Sequence, residues 1–319
     1  MGDILMVAGF LLAAYSIVAN DAIQTLGTFI SSNHHRPWWL LWAFASAILV
    51  IVLLYGWFSH GGDPAYGRLE KFPMPEQGIT WLYVIPPLAI LILTRYGIPV
   101  STTFLVLSVF AAGNVQSMLS KSGLGYAVAF VVALFTYRFV IRHLTEYFDR
   151  TYGNPVPAYW IALQWASTGF LWSQWLIQDL ANIYAYLPRE LDGQQFFLSL
   201  LVLLVLHAWI FKTAGGAIQR IVTTKTGTVD IRAATIIDFI YAIILFVFKE
   251  MSSIPMSTTW VFLGLLAGRE FAISMHMFTP STRETARVVM SDAMKAMLGL
   301  AVSLLLAFGL PPLFRMLGG

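Results

Sequence analysis

Two acidic residues stand inside apolar stretches of this chain, each bracketed by amides: Asn20-Asp21-x-x-Gln24 and Gln178-Asp179-x-x-Asn182. A carboxylate at membrane depth is costly unless it is paired or hydrated. Carboxylate and amide oxygens together suit a hard cation such as Na+, and they equally suit a site that takes a proton. The bland alternative is a polar patch that joins helices through interhelical hydrogen bonds. A second pair of motifs, Pro99-Val100-Ser101-Thr102-Thr103 and Pro255-Met256-Ser257-Thr258-Thr259, has the composition of a helix start. Proline is favoured in the first turn, and a Ser or Thr can satisfy a free amide there. An open helix N-terminus offers N–H donors and partial positive charge, which suits an anion. The hydroxyls of Ser101, Thr102, Thr103, Ser257, Thr258 and Thr259 add neutral donors; the alternative is ordinary capping of two buried helices. Both motifs recur at nearly one offset. Asp179 follows Asp21 by 158 residues, and Ser257 follows Ser101 by 156.

The elements that carry these residues are helices in a bilayer. The chain has 319 residues, 58% apolar and only 11% charged, with a mean hydropathy of +0.73. A soluble domain has roughly 25% charge, so soluble and disordered classes are excluded. Ten apolar segments lie near 4–30, 38–58, 79–95, 98–118, 122–143, 156–184, 195–212, 231–249, 255–276 and 290–314. The ~10-residue alternating strands of an outer-membrane barrel are missing. The repeated motifs divide the chain into 1–150 and 151–319, with five segments in each half. An odd number of segments per half predicts opposite orientations, the inverted-topology repeat of many secondary transporters. Within each half, Tyr96-Gly97-Ile98-Pro99 or Ser252-Ser253-Ile254-Pro255 interrupts two apolar runs without a loop, since Gly and Pro stop a helix. The expected fold is therefore an all-α polytopic membrane protein of two inverted repeats, each with a broken or re-entrant helix pair.

Several classes are excluded by what is missing from the sequence. There is no cysteine, so disulfides, thiol catalysis and Cys-ligated zinc are ruled out. Neither His-Glu-x-x-His nor Gly-x-Ser-x-Gly occurs, and a non-enzyme without cofactor is expected. The net charge of +3 is scattered over loops and implies no nucleic-acid partner. The first apolar block lacks a basic n-region and a cleavage site and reads as a retained helix. With the N-terminus on one side, the loops opposite hold Arg36, Arg138, Arg142, Arg150, Lys212, Arg220, Lys225, Arg232, Arg283, Arg287 and Lys295. The N-terminal side holds only Arg68, Lys71, Lys121, Arg189 and Arg315. Basic residues favour the cytoplasm, which places both termini outside an inner or plasma membrane.

The remaining polar residues have their own expectations. Arg95, beside the first break, is a candidate substrate or gating charge, and Lys249 and Glu250 pair with each other. Arg269 snorkels to the interface. Asp238 is either a third cation ligand or a helix–helix bond, and His207 is either a proton relay or a hydrogen-bonded core residue. Gly113, Gly123 and Gly125 permit close helix packing.

At these residues the chain resembles a known family. Ala19-Asn20-Asp21 followed by Gly27-Thr28 resembles the Gly-Ala-Asn-Asp-x-x-Asn-x-x-Gly-Thr signature of the inorganic phosphate transporter (PiT) family, and both Pro-x-Ser-Thr-Thr motifs resemble that family's Pro-Val-Ser-Thr-Thr-His. Gly215-Gly216-x-Ile218 also fits, and the resemblance covers both halves. It implies a cation-coupled symporter of phosphate, or of sulfate as in some relatives. It implies that Asp21 and Asp179, with Asn20, Gln24, Gln178 and Asn182, organise Na+ or H+ sites, with no other metal. It further implies that the Ser-Thr-Thr starts bind the anion. The departures are Val18 for Gly, Gln24 and Gln178 for Asn, and Phe104 and Trp260 for His; the link 144–155 replaces a large central loop. The partners expected are an inorganic oxyanion and the lipid bilayer, and a homodimer is compatible with the architecture. A passive anion channel is the alternative; an intramembrane enzyme is disfavoured because nothing places His207 beside Ser101 or Ser257.

Overall fold

The computed structural model describes residues 2–96, 98, 100–141, 156–213, 231–251, 255–277 and 282–316. The link 144–155, the Gly215-Gly216 segment and Ser252-Ser253-Ile254 lie outside the described residues. Helix α1 (Gly2–Ile17) passes through a π turn (Val18–Ala22) into α2 (Ile23–Ser32). Then follow α3 (Trp38–Ser59), a 3-10 turn (Trp81–Val84), α4 (Ile85–Arg95), α5 (Thr102–Phe110), a second 3-10 turn (Ala112–Asn114) and α6 (Val115–Phe135). The remainder comprises α7 (Ala158–Tyr184), α8 (Gly193–Lys212), α9 (Ile231–Met251), α10 (Thr258–Met277) and α11 (Thr282–Met316). No strand occurs among the described residues.

Six of the described helices are long and apolar enough to cross a membrane, and the chain is an integral membrane protein. Helix α7 has 27 residues but is not among them. Its buried face carries Gln164, Gln174, Gln178, Asp179 and Asn182, which lower its hydropathy although the protein encloses them. Such polar side chains in a spanning helix face the protein interior, where partners exist.

The helix pairs around the two breaks differ in length. Helices α4 and α5 have 11 and 9 residues, or roughly 16 and 13 Å at ~1.5 Å per residue. Neither alone can cross a ~30 Å core, as a broken or re-entrant pair requires. Helices α9 and α10 have 21 and 20 residues, and α9 is among the six candidate spans. Helix α6 packs most extensively on α10, and α9 on α7; α11 lies on α5 and α4 lies on α1. Contacts therefore run across the boundary expected near 150.

The seam between α6 and α10 shows what small residues do without water to drive association. A Cβ added to Gly125 would meet Val261 Cγ2 at 2.9 Å. Side chains at Gly264 and Gly268 would strike the backbone oxygens of Tyr126 and Phe130. Gly113 and Gly123, expected to pack closely as well, have open space around them, so Gly125 alone of the three permits close approach.

Candidate functional site

The first acidic motif falls at the π turn between α1 and α2, where an extra residue per turn widens the helix. Asp21 is buried, with 1% of its surface exposed. Its Oδ1 accepts from Asn20 Nδ2 at 2.7 Å, and its Oδ2 accepts from the Thr102 hydroxyl at the start of α5. Asn20 also donates to Val100 O at 3.2 Å and accepts from the Thr94 hydroxyl at 3.2 Å. The turn is thereby fastened to both sides of the first break.

Asp179 sits in regular helix near the end of α7 and is fully buried. Its Oδ1 accepts from Asn182 Nδ2 at 2.8 Å and from the Thr103 hydroxyl at 3.3 Å. Thr258 lies beside the carboxylate, yet Oδ2 has no partner in hydrogen-bonding geometry among the described residues. Asn182 Nδ2 also donates to Thr102 Oγ1 at 3.2 Å and Thr103 Oγ1 at 3.1 Å. A continuous hydrogen-bonded chain thus joins the two carboxylates: Asp21, Thr102, Asn182, Asp179. The two are close enough to repel electrostatically.

The two helix starts meet by exchange. The single Thr103 hydroxyl proton is shared between Asp179 Oδ1 and Met256 O, both at 3.3 Å, and Thr259 donates to Val100 O at 3.1 Å, so each threonine reaches the residue before the other start's serine. Each serine caps its own helix: Phe104 N–H donates to Ser101 Oγ and Trp260 N–H to Ser257 Oγ, both at 3.2 Å. A hydroxyl that accepts at a cap keeps its proton for another acceptor. Thr102, Thr103 and Thr259 instead spend their protons on protein oxygens. Of the six hydroxyls expected to face an anion, the two capping serines keep a donor to offer, and the Thr258 hydroxyl lies beside the Asp179 carboxylate. Phe104 and Trp260, which replace the family's His, lie against each other with ring centroids 5.8 Å apart.

Four of the six cation-site candidates, Asn20, Asp21, Asp179 and Asn182, come together in this network. Gln178 turns away and donates to Leu245 O at 3.0 Å. Gln24 is buried but makes none of the network's hydrogen bonds among the described residues. Arg95, expected as a substrate or gating charge, is exposed at the end of α4 rather than turned into the buried cluster. Asp238 joins helices: it accepts from Thr28 on α2 at 2.6 Å and from Thr168 on α7. His207 is buried against Trp172, with Nδ1 2.8 Å from Leu203 O. Lys249 and Glu250 pair at 2.7 Å. Arg269 pairs with Glu270 at 2.7 Å and lies 5.7 Å from the Tyr137 ring centroid. That pair helps line a cavity of about 460 Å³ between α6, α10 and α11, away from the carboxylates.

Sequence reasoning missed Thr94, Ser122 and Tyr241. Ser122 Oγ accepts the Ser257 N–H at 2.8 Å, and the Tyr241 hydroxyl donates to Thr258 O at 2.9 Å. No spacing in the sequence marks them, because each is recruited from a neighbouring helix. No group of three or more His, Asp or Glu side chains able to hold a metal occurs among the described residues.

No family model matches the chain, and no curated protein matches it in sequence. A solved structure shares its fold. That structure is described as the sodium-dependent phosphate transporter; it aligns with a TM-score of 0.61 at 16% identity, over 98% of this chain and 98% of its own. Likeness at that identity is likeness of architecture, and it extends over both copies of the duplicated motifs.

Proposed function

We propose that the protein is a cation-coupled secondary transporter of an inorganic oxyanion, phosphate first and sulfate second, working by alternating access. The observation that carries this reading is the hydrogen-bonded chain from Asp21 through Thr102 and Asn182 to Asp179. Two neighbouring buried carboxylates repel, and each cation bound between them relieves that repulsion. Neither forms an ion pair among the described residues, so Na+ or H+ is the natural counter-charge. The solved transporter of like fold is named for sodium dependence, which favours Na+. Thr102 and Thr103 belong at once to the cation network and to a helix start. An anion drawn to the Ser101 and Ser257 hydroxyls would reset those threonines, and that shared use is the coupling.

In this reading, 1–150 and 151–319 are the inverted halves that rock about the site, with both termini outside the cell. The full coverage of the solved transporter supports the transporter scaffold over an enzyme. Ion-driven uptake of radiolabelled phosphate and sulfate into proteoliposomes tests the proposal. Accumulation against a gradient is expected. Binding without flux would refute transport, and flux only down the gradient would make the protein a passive channel.

A further inference from the structure

The segment joining α3 to the first 3-10 turn is held firmly against the bundle. Asp63 accepts from the backbone N–H of Ala65 at 2.7 Å and of Gly67 at 2.8 Å. Asn114 donates to Lys71 O at 2.6 Å, and Arg189 donates to Phe72 O at 2.6 Å. These ties bury Arg68, which is 4% exposed. Both Nη atoms of Arg189 donate to carbonyls and only its Nε lacks a partner, whereas Arg68 makes no such bond and its Nη1 is buried with no hydrogen-bond partner among the described residues. Arg68 and Lys71 act electrostatically on Lys121. Lys121 precedes Ser122, the residue that accepts the first N–H of the α10 start. Asp179 and Glu250 are also within electrostatic reach of Arg68, but neither forms an ion pair with it among the described residues: Glu250 is paired with Lys249, and Asp179 Oδ2 is left without a hydrogen-bond partner. Burial lowers the Arg68 pKa to about 10, so the guanidinium remains charged near neutrality.

A buried guanidinium nitrogen without an acceptor is expensive, and a lysine within electrostatic reach of the same arginine adds to the need for an anion. A tetrahedral oxyanion removes both penalties, because its oxygens match the planar fork of an arginine. We propose that Arg68, with Lys121 beside it, forms a second oxyanion-binding station next to the α10 start, on the loop side of the paired Ser-Thr-Thr motifs. The ligand class, phosphate or sulfate, rests on the transport reading above. On that reading Arg68 receives the anion before Ser257 and Ser101 do.

The test is oxyanion-dependent thermal stabilisation of the purified full chain. Phosphate and sulfate are titrated against chloride at matched ionic strength, with uptake by parent proteoliposomes measured alongside. The parent should be stabilised by at least one oxyanion. Arg68→Gln should need at least about tenfold more anion for half the effect, whatever its starting melting temperature. Arg68→Lys keeps the charge and loses the fork; it should recover less than half of that loss, and Lys121→Gln should shift the midpoint by a fewfold. A parent indifferent to both oxyanions, or an Arg68→Gln protein with the parent's midpoint, overturns the station. Should Arg68→Gln fail to fold, an Arg68→Lys midpoint equal to the parent's overturns it instead. A parent that binds but does not accumulate refutes transport and leaves the Arg68 result standing. A parent that accumulates while Arg68→Gln titrates normally refutes only the station.

Discussion

The two acidic motifs are mirror images in their amides, and the structure uses them differently. Asn20 precedes Asp21 and Gln24 follows it by three; Gln178 precedes Asp179 and Asn182 follows it by three. In the first motif the preceding amide works, binding both Asp21 and Val100 O. In the second the following amide works, and Asn182 reaches Asp179, Thr102 and Thr103. In each case the asparagine enters the network and the glutamine does not. The short arm holds its amide beside the adjacent carboxylate, while the longer arm of Gln178 carries its amide to Leu245 O on α9. The hydrogen bonds of both carboxylates to a helix start go to that of α5, while the α10 start places only Thr258 beside Asp179. The sequence repeats one motif pair, and side-chain length sets the two copies apart.

The largest effect should come from removing either charge. Asp21→Asn and Asp179→Asn keep the shape and lose a carboxylate. Ion-driven accumulation should fall by about a hundredfold, the equivalent of roughly 2.7 kcal/mol. The melting temperature should hold or rise, because a neutral amide is cheaper to bury at this depth. Loss of stability with ion-dependent uptake retained would reduce the pair to structural glue.

Next comes the asymmetry itself. Asn182→Ala removes the amide whose two N–H donors are shared among Asp179, Thr102 and Thr103. Na+ or H+ dependence should weaken by ten- to a hundredfold, from ~1.5–3 kcal/mol for a bond to a charged group. Gln24→Ala, at the matching position of the first motif, should change the same titration by less than about twofold, or roughly 0.4 kcal/mol. Equal effects would break the comparison.

Ser101→Ala and Ser257→Ala should each weaken oxyanion affinity about tenfold, the loss of one neutral donor to a charged ligand. Each should also lower stability by about 1 kcal/mol for the lost cap. The stability loss without the affinity loss would leave the serines as caps alone. A small change is also expected of Gln24→Asn, which restores the amide of the resembled family in the first motif. A shift of the apparent Na+ midpoint by about twofold, or roughly 0.4 kcal/mol, would show a short arm entering the network. No shift across a Na+ titration would point to the proton as driver.

Much of this site was legible in the chain before any folding was known. Hydropathy is a local property, so helices, membrane and apolar segments follow from composition and run length. The repeat offset singled out Asp21, Asp179 and both Ser-Thr-Thr starts, and the structure brings them together. The sequence could not show that α4 and α5 have only 11 and 9 residues while α9 and α10 have 21 and 20, because both pairs read as apolar runs interrupted by proline. Nor could it show which amide of each motif faces inward, which hydroxyls keep their protons, or that Arg68 is buried. Those outcomes depend on the register at which α5, α7 and α10 lie against one another. A shift of one residue turns a helical side chain by about 100°, and hydrogen bonds tolerate only a few tenths of an ångström. Residue types and spacing determined which groups were available for chemistry, and tertiary packing decided which of them touch.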